Sequence, residues 1–113
     1  MSKRLLYRLA ILVSELQQSV TEEYKISVMS LINCLIHASE DIWTRHSMRC
    51  ELVSIGFLDI IDNFRTTADG YLIKQVETFD EKRMHDDDDL ELTDEKPLYD
   101  LITLFLHKVK LSI

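Results

Sequence analysis

Glycine and proline are almost missing from this 113-residue chain, which has two of the first and one of the second. With so few backbone breakers and 46% hydrophobic residues, the composition describes one compact, helical unit, and the length excludes a second domain. Gly56 and Gly70 are isolated, so no glycine-rich phosphate loop can be built from them. Two cysteines cannot staple a disulfide framework, and the N-terminus lacks the basic, apolar and cleavage regions of a secretory signal. These two absences place the chain in the cytoplasm. No apolar run approaches the roughly 20 residues a membrane span requires, so no span is expected. Positive charge is also short, with 13 Lys and Arg against 20 Asp and Glu and a net charge of -7. Half of the acids fall within residues 77–95, and what remains is nearly neutral. Without a concentrated basic field, nucleic acid is not an expected partner.

What is present is helical periodicity. Leu5, Leu6, Leu9, Leu12, Val13 and Leu16 keep to one stripe, the mark of a first amphipathic helix. Ser19 or Thr21 offers a cap for a second helix, with Glu22 and Glu23 in the first turn, where the helix dipole favours acid. Its apolar positions are Tyr24, Val28, Leu31, Ile32, Leu35 and Ile36. Ser39 is the expected cap of a third helix facing inward through Ile42, Met48, Leu52 and Ile55. Gly56 ends it in a left-handed conformation, and Phe57, Leu58, Ile61 and Phe64 start a fourth. Residues 66–70 read as a loop, followed by a short fifth helix on Leu72, Ile73, Val76 and Phe79. Short connections imply antiparallel neighbours.

The run from His85 to Asp89 repels itself, so residues 85–96 read as a solvated acidic linker. Beyond Pro97, an amphipathic segment carries Leu98, Leu101, Ile102, Phe105, Leu106 and Val109, with Lys108 and Lys110 near its end. The expected organisation is therefore helical repeats over 1–84, a linker over 85–96 and a separate C-terminal helix over 97–113. No internal repeat registers residue by residue, although helices two to four have the lengths of an armadillo-type unit.

Candidate chemistry is sparse. Acids, bases and nucleophiles are scattered without a recognised catalytic spacing, so no enzyme is expected. His37 and His46 are nine apart, far from the i, i+4 spacing of a helical metal pair. His37 is better read as a favourable cation at a helix end, and His46 as a solvent-facing or helix-contact residue. Cys34 and Cys50 read as small core residues, not a zinc set. The run from His85 to Asp89 lacks the alternation and distal glutamate of a calcium loop, so no metal or other cofactor is expected. Trp43 either anchors a partner or covers the end of a helix pair, with burial the preferred role. Asn33 interrupts an apolar stripe, where its amide can bond a neighbouring backbone group or a bound peptide; the internal bond is preferred.

Three segments resemble one known family. Ser30-Leu31-Ile32-Asn33-Cys34-Leu35-Ile36, followed by Glu40-Asp41, resembles a helix of the formin N-terminal regulatory region. The string R-H-S-M-R-C-E-L-V-S-I-G-F, with Arg45, Arg49, Glu51, Leu52, Gly56 and Phe57, is similar to that region's arginine-x-glutamate-leucine helix and its leucine-glycine-leucine turn. L-I-K-Q-V-E-T-F-D-E, residues 72–81, resembles the short helix that follows, including the acidic stretch beyond. The likeness covers residues 28–89, and helix one extends it by position only. Departures are Cys34 in place of a small alanine, Ile55 and Phe57 in place of leucines, and a tail over 97–113 without a counterpart.

The resemblance implies an all-α fold of stacked antiparallel helices, a fragment of the armadillo-like formin homology 3, or diaphanous inhibitory, domain corresponding to its closing repeats. It implies protein partners: a formin C-terminal autoregulatory segment and, with an adjoining region, a Rho-family GTPase. It also implies a role in regulating actin filament assembly and a cytoskeletal association. Lacking proline-rich and actin-assembling regions, the chain is not expected to nucleate filaments itself. The residues expected to meet a partner are Asn33, Trp43, Arg45, Arg49, Leu101 and Phe105. An alternative reading is an unrelated helical adaptor that self-associates through Leu101, Phe105 and Val109.

Overall fold

The structure, a computed structural model, describes residues 2–92, 101, 102 and 104–106. Five helices account for most of them: α1 (Lys3–Gln18), α2 (Glu22–Ala38), α3 (Ile42–Ser54), α4 (Phe57–Thr67) and α5 (Gly70–Glu91). No strand occurs among the described residues.

Side-chain oxygens start the first three helices by satisfying backbone N–H groups that lack an intrahelical partner. Ser2 Oγ accepts from the Leu5 N–H at 3.1 Å, and Thr21 Oγ1 from that of Tyr24 at 3.2 Å. Asp41, not Ser39, caps α3, accepting from the N–H groups of Trp43 and Thr44 and from the Thr44 hydroxyl. Gly56 takes φ 92°, the left-handed conformation that turns the chain from α3 into α4.

Each helix gives its stripe to one core: Leu9, Val13 and Leu16; Val28, Met29, Ile32 and Ile36; Met48 and Leu52; Phe57, Ile61 and Phe64; Leu72, Val76 and Phe79. Phe57 and Phe79 meet edge to face at 5.1 Å, joining α4 to α5. Three residues expected on inward stripes, Tyr24, Leu31 and Leu58, are instead exposed, each lying at the edge of its helix's buried arc.

Tyr24, in the first turn of α2, donates its hydroxyl hydrogen to Glu15 in the last turns of α1, so these two helices fold back antiparallel. Phe57 and Arg65, near opposite ends of α4, both reach the Phe79–Asp80 stretch of α5, so α4 crosses α5. Asn33 on α2 faces Gln75 on α5, and Arg45 links the end of α2 at Ser39 to Asp86 on α5. Helices α2 and α5 therefore run side by side in the same direction. Like-oriented helices separated by an intervening pair are the mark of consecutive units in a helical stack.

The acidic segment departs most from the sequence reading. Residues 85–91 are not linker; they are the final turns of α5, which is the longest helix of the five. Leu72, Val76, Phe79, Asp86 and Leu90 are buried on one continuous stripe, so the helical register carries through the acids. Asp86 is only 6% exposed, contrary to the expectation that nothing in the run is buried. Leu101, Ile102, Leu104, Phe105 and Leu106 are helical and exposed. The expectations for Pro97, Leu98, Lys108, Val109 and Lys110 lie outside the described residues.

Candidate functional site: the groove between α2, α3 and α5

Parallel packing of α2 and α5, with α3 beneath their C-terminal ends, leaves a groove of about 750 Å³. One wall is Ser30, Asn33, Cys34 and His37, and the other is Gln75, Thr78, Glu81, Lys82 and His85. Ile36 and Phe79, core residues only 3% and 2% exposed, lie at its floor, and Arg45, Arg49 and Asp86 close one end. A groove walled by amides, hydroxyls and charges of both signs over a core floor has the shape and polarity to take an extended or helical peptide.

Asn33 is tied internally, as preferred from sequence. Its Nδ2 donates to the Gln75 backbone oxygen at 3.0 Å and to Gln75 Oε1 at 3.1 Å, bracing the two walls. Cys34, expected in the core, is exposed and forms part of the groove wall. The α2 helix turns Met29, Ile32 and Ile36 inward, and position 34 falls on the other side.

Arg45 and Arg49 stand one turn apart on α3 and converge on one carboxylate. Arg45 Nε and Nη2 clasp Asp86 at 2.8 and 3.1 Å, and Arg49 Nη1 reaches Asp86 Oδ2 at 2.6 Å. Arg45 Nη1 also donates to the backbone oxygens of Ser39 and Glu40. Burial alone would push the Asp86 carboxyl up, but hydrogen bonds and charge from the two arginines outweigh it and hold the pKa below the ordinary carboxylate value. Both arginines, expected to face a partner, are thus committed to α5 in this structure, and Arg49 is buried. A buried cation needs an acid, and the helical stripe through Leu72, Val76 and Phe79 points to Asp86 as that acid.

His85, Asp86 and Asp89 bring ligand-type atoms within 4.8 Å of one another. Asp86 is already engaged by two cations, so the trio is ill suited to a third. His37 lies in the last turn of α2, where a cation complements the helix end. His46 is half-buried on α3, with Nε2 3.7 Å from Cys50 Sγ and Nδ1 4.0 Å from Asp87. The i, i+4 spacing of His46 and Cys50 is the sequence signal for that contact. Trp43 is half-buried at the start of α3, away from the groove lining. Leu101 and Phe105, each 64% exposed, do not line the groove.

Comparison with known proteins places these features in a wider setting. The sequence profile of the diaphanous FH3 domain matches residues 4–103, which takes in α1 and part of the tail that residue-by-residue reading left without a counterpart. Inverted formin-2 of Xenopus laevis is 29% identical over 84 residues, covering 74% of this chain and 8% of that relative. Inverted formin-2 of Xenopus tropicalis is likewise 29% identical over 84 residues, covering 74% of this chain and 6% of the relative. The matched part thus spans less than a tenth of these relatives' length. No solved structure matches.

Proposed function

The chain belongs to the diaphanous FH3 domain family, and from that membership we propose that it is a non-catalytic module holding a segment of another protein in the groove between α2, α3 and α5. One observation supports the reading: two like-oriented helices wall a groove of about 750 Å³, lined by amides, hydroxyls and charged side chains over a floor of Ile36 and Phe79, and helical stacks receive elongated ligands along such inner surfaces. The occupant we assign first is the C-terminal autoregulatory segment of a formin. An activated Rho-family GTPase would bind with the help of an adjoining region, and relief of the first contact would link the module to actin filament assembly at the cytoskeleton.

Calorimetric titration of the folded chain with a formin autoregulatory peptide tests this. The expected result is saturable binding that is lost in Cys34→Trp, where an indole fills the groove from an exposed wall position. A folded chain that gives no binding at high peptide concentration, or a Cys34→Trp variant that binds undiminished, would overturn it.

A second reading rests on Leu101, Ile102, Leu104, Phe105 and Leu106, large apolar residues that are each about half exposed or more. Such a segment fits self-association, as a helical adaptor would use it. Sedimentation would then show a dimer that Phe105→Asp dissolves; a monomer across the concentration range removes this reading.

A further inference from the structure

The last turns of α5 are a helix built against local electrostatics. Asp86, Asp87, Asp88 and Asp89 are consecutive, and Glu91 follows at the negative end of the helix dipole, where acid is disfavoured. Their compensation within α5 is slight: Arg83 to Asp87 at 3.6 Å and His85 to Asp89 at 3.6 Å, both with substantial solvent exposure. The strong compensation crosses from α3, where Arg45 and Arg49 grip Asp86.

The two sides of that grip are unequal. Arg45 is fixed on its own side by the Ser39 and Glu40 carbonyls, independently of α5. Arg49 is 6% exposed, and its Nε has no hydrogen-bond partner, so the receiving pair carries more donor capacity and more charge than Asp86 satisfies. The Arg45 half of the receptor is thus held in place without α5, whereas the helix it receives is opposed by its own charge. Upstream, α5 is anchored through Leu72, Val76 and Phe79 in the core cluster, whereas over residues 83–91 the one buried apolar side chain is Leu90, which lies outside that cluster.

We propose that residues 83–91 form a releasable arm of α5, latched to α3 by the insertion of the Asp86 carboxylate between Arg45 and Arg49. The arm opens as a unit while the helix through Phe79 stays folded. Because Lys82, His85, Asp86, Arg45 and Arg49 all border the groove, opening the latch reshapes one end of it and frees two guanidinium groups there. The latch is a property of the chain itself and does not depend on which partner the groove takes.

Amide hydrogen exchange on the full chain tests the latch directly. In Asp86→Asn, amides of residues 85–91 are expected to lose protection by at least about tenfold, while those of Leu72, Val76 and Phe79 keep theirs. A loss spread evenly through α5 and the core would overturn the proposal, as would full retention of protection. Should Asp86→Asn unfold the whole chain, Arg45→Gln decides, since it removes one fork and keeps the bond from Arg49. Its expected result is a smaller loss confined to the same amides, and a uniform loss or none refutes the latch.

Discussion

The amide of Asn33 on α2 donates to both the backbone and the side-chain oxygen of Gln75 on α5, at 3.0 and 3.1 Å, bracing the two walls of the groove. The Gln75 carbonyl lies within a helix, so removing the amide strands no backbone acceptor. Asn33→Ala should therefore cost only about 1 kcal/mol, the net worth of a hydrogen-bond tie. Urea unfolding measures it. A loss several times larger would mean that Asn33 does more than brace the groove.

Gly56 holds φ 92°, and a Cβ placed there meets nothing within 4 Å. Strain in Gly56→Ala would thus come from the backbone alone, at about 1–2 kcal/mol for a left-handed L-residue. Asparagine tolerates this conformation better than alanine, so thermal unfolding should rank glycine above asparagine above alanine at this position. Equal midpoints for all three would contradict the turn geometry.

Phe57 and Leu58 are adjacent in sequence and opposite in environment: the first is fully buried against Phe79, the second 39% exposed. Phe57→Ala should destabilise by about 3–5 kcal/mol through lost burial and the cavity left behind. Leu58→Ala should cost far less, within about 1 kcal/mol, because water already reaches that side chain. Denaturant midpoints for the pair check the assignment of the inward face, and comparable losses would refute it.

The helices were legible because their signals are local. Thr21 followed by Glu22 and Glu23, the stripe from Leu9 to Leu16, and Gly56 before Phe57 each act within one or two turns. Asp41 capping α3 in place of Ser39 is a displacement of two residues, within the usual uncertainty of helix ends. The groove was much less legible. Its closing contacts join Asn33 to Gln75 and Arg45 to Asp86, some forty residues apart, and no periodicity specifies such pairs. The acidic run misleads because its repulsion is local, whereas the arginines that offset it lie about forty residues away in sequence. Its register was visible all the same, since Asp86 and Leu90 continue the spacing of Leu72, Val76 and Phe79.

Acid should weaken the α3–α5 junction in a predictable direction. Asp86 titrates below its ordinary value of 3.8 in the folded chain, so it binds a proton more readily when unfolded. Its contribution is complete above that value and drains away as pH falls through the lower, folded one. Asp41 is also lowered, chiefly by the Thr44 hydroxyl, and acts in the same sense. The stability these two carboxylates contribute should hold until mild acid and then fall, and Asp86→Asn should blunt the fall. Wild type and Asp86→Asn with superimposable acid profiles would contradict this.

A segment of another protein held in the groove between α2 and α5 would be felt along both of its walls. Chemical-shift mapping of the isotopically labelled chain during titration with a formin autoregulatory peptide tests it most directly. Shifts clustered on Ser30, Asn33, Cys34 and His37 of α2 and on Gln75, Thr78 and Lys82 of α5 are the predicted result. Shifts centred on the exposed Tyr7 and Ile11 of α1, or none at saturating peptide, would contradict it.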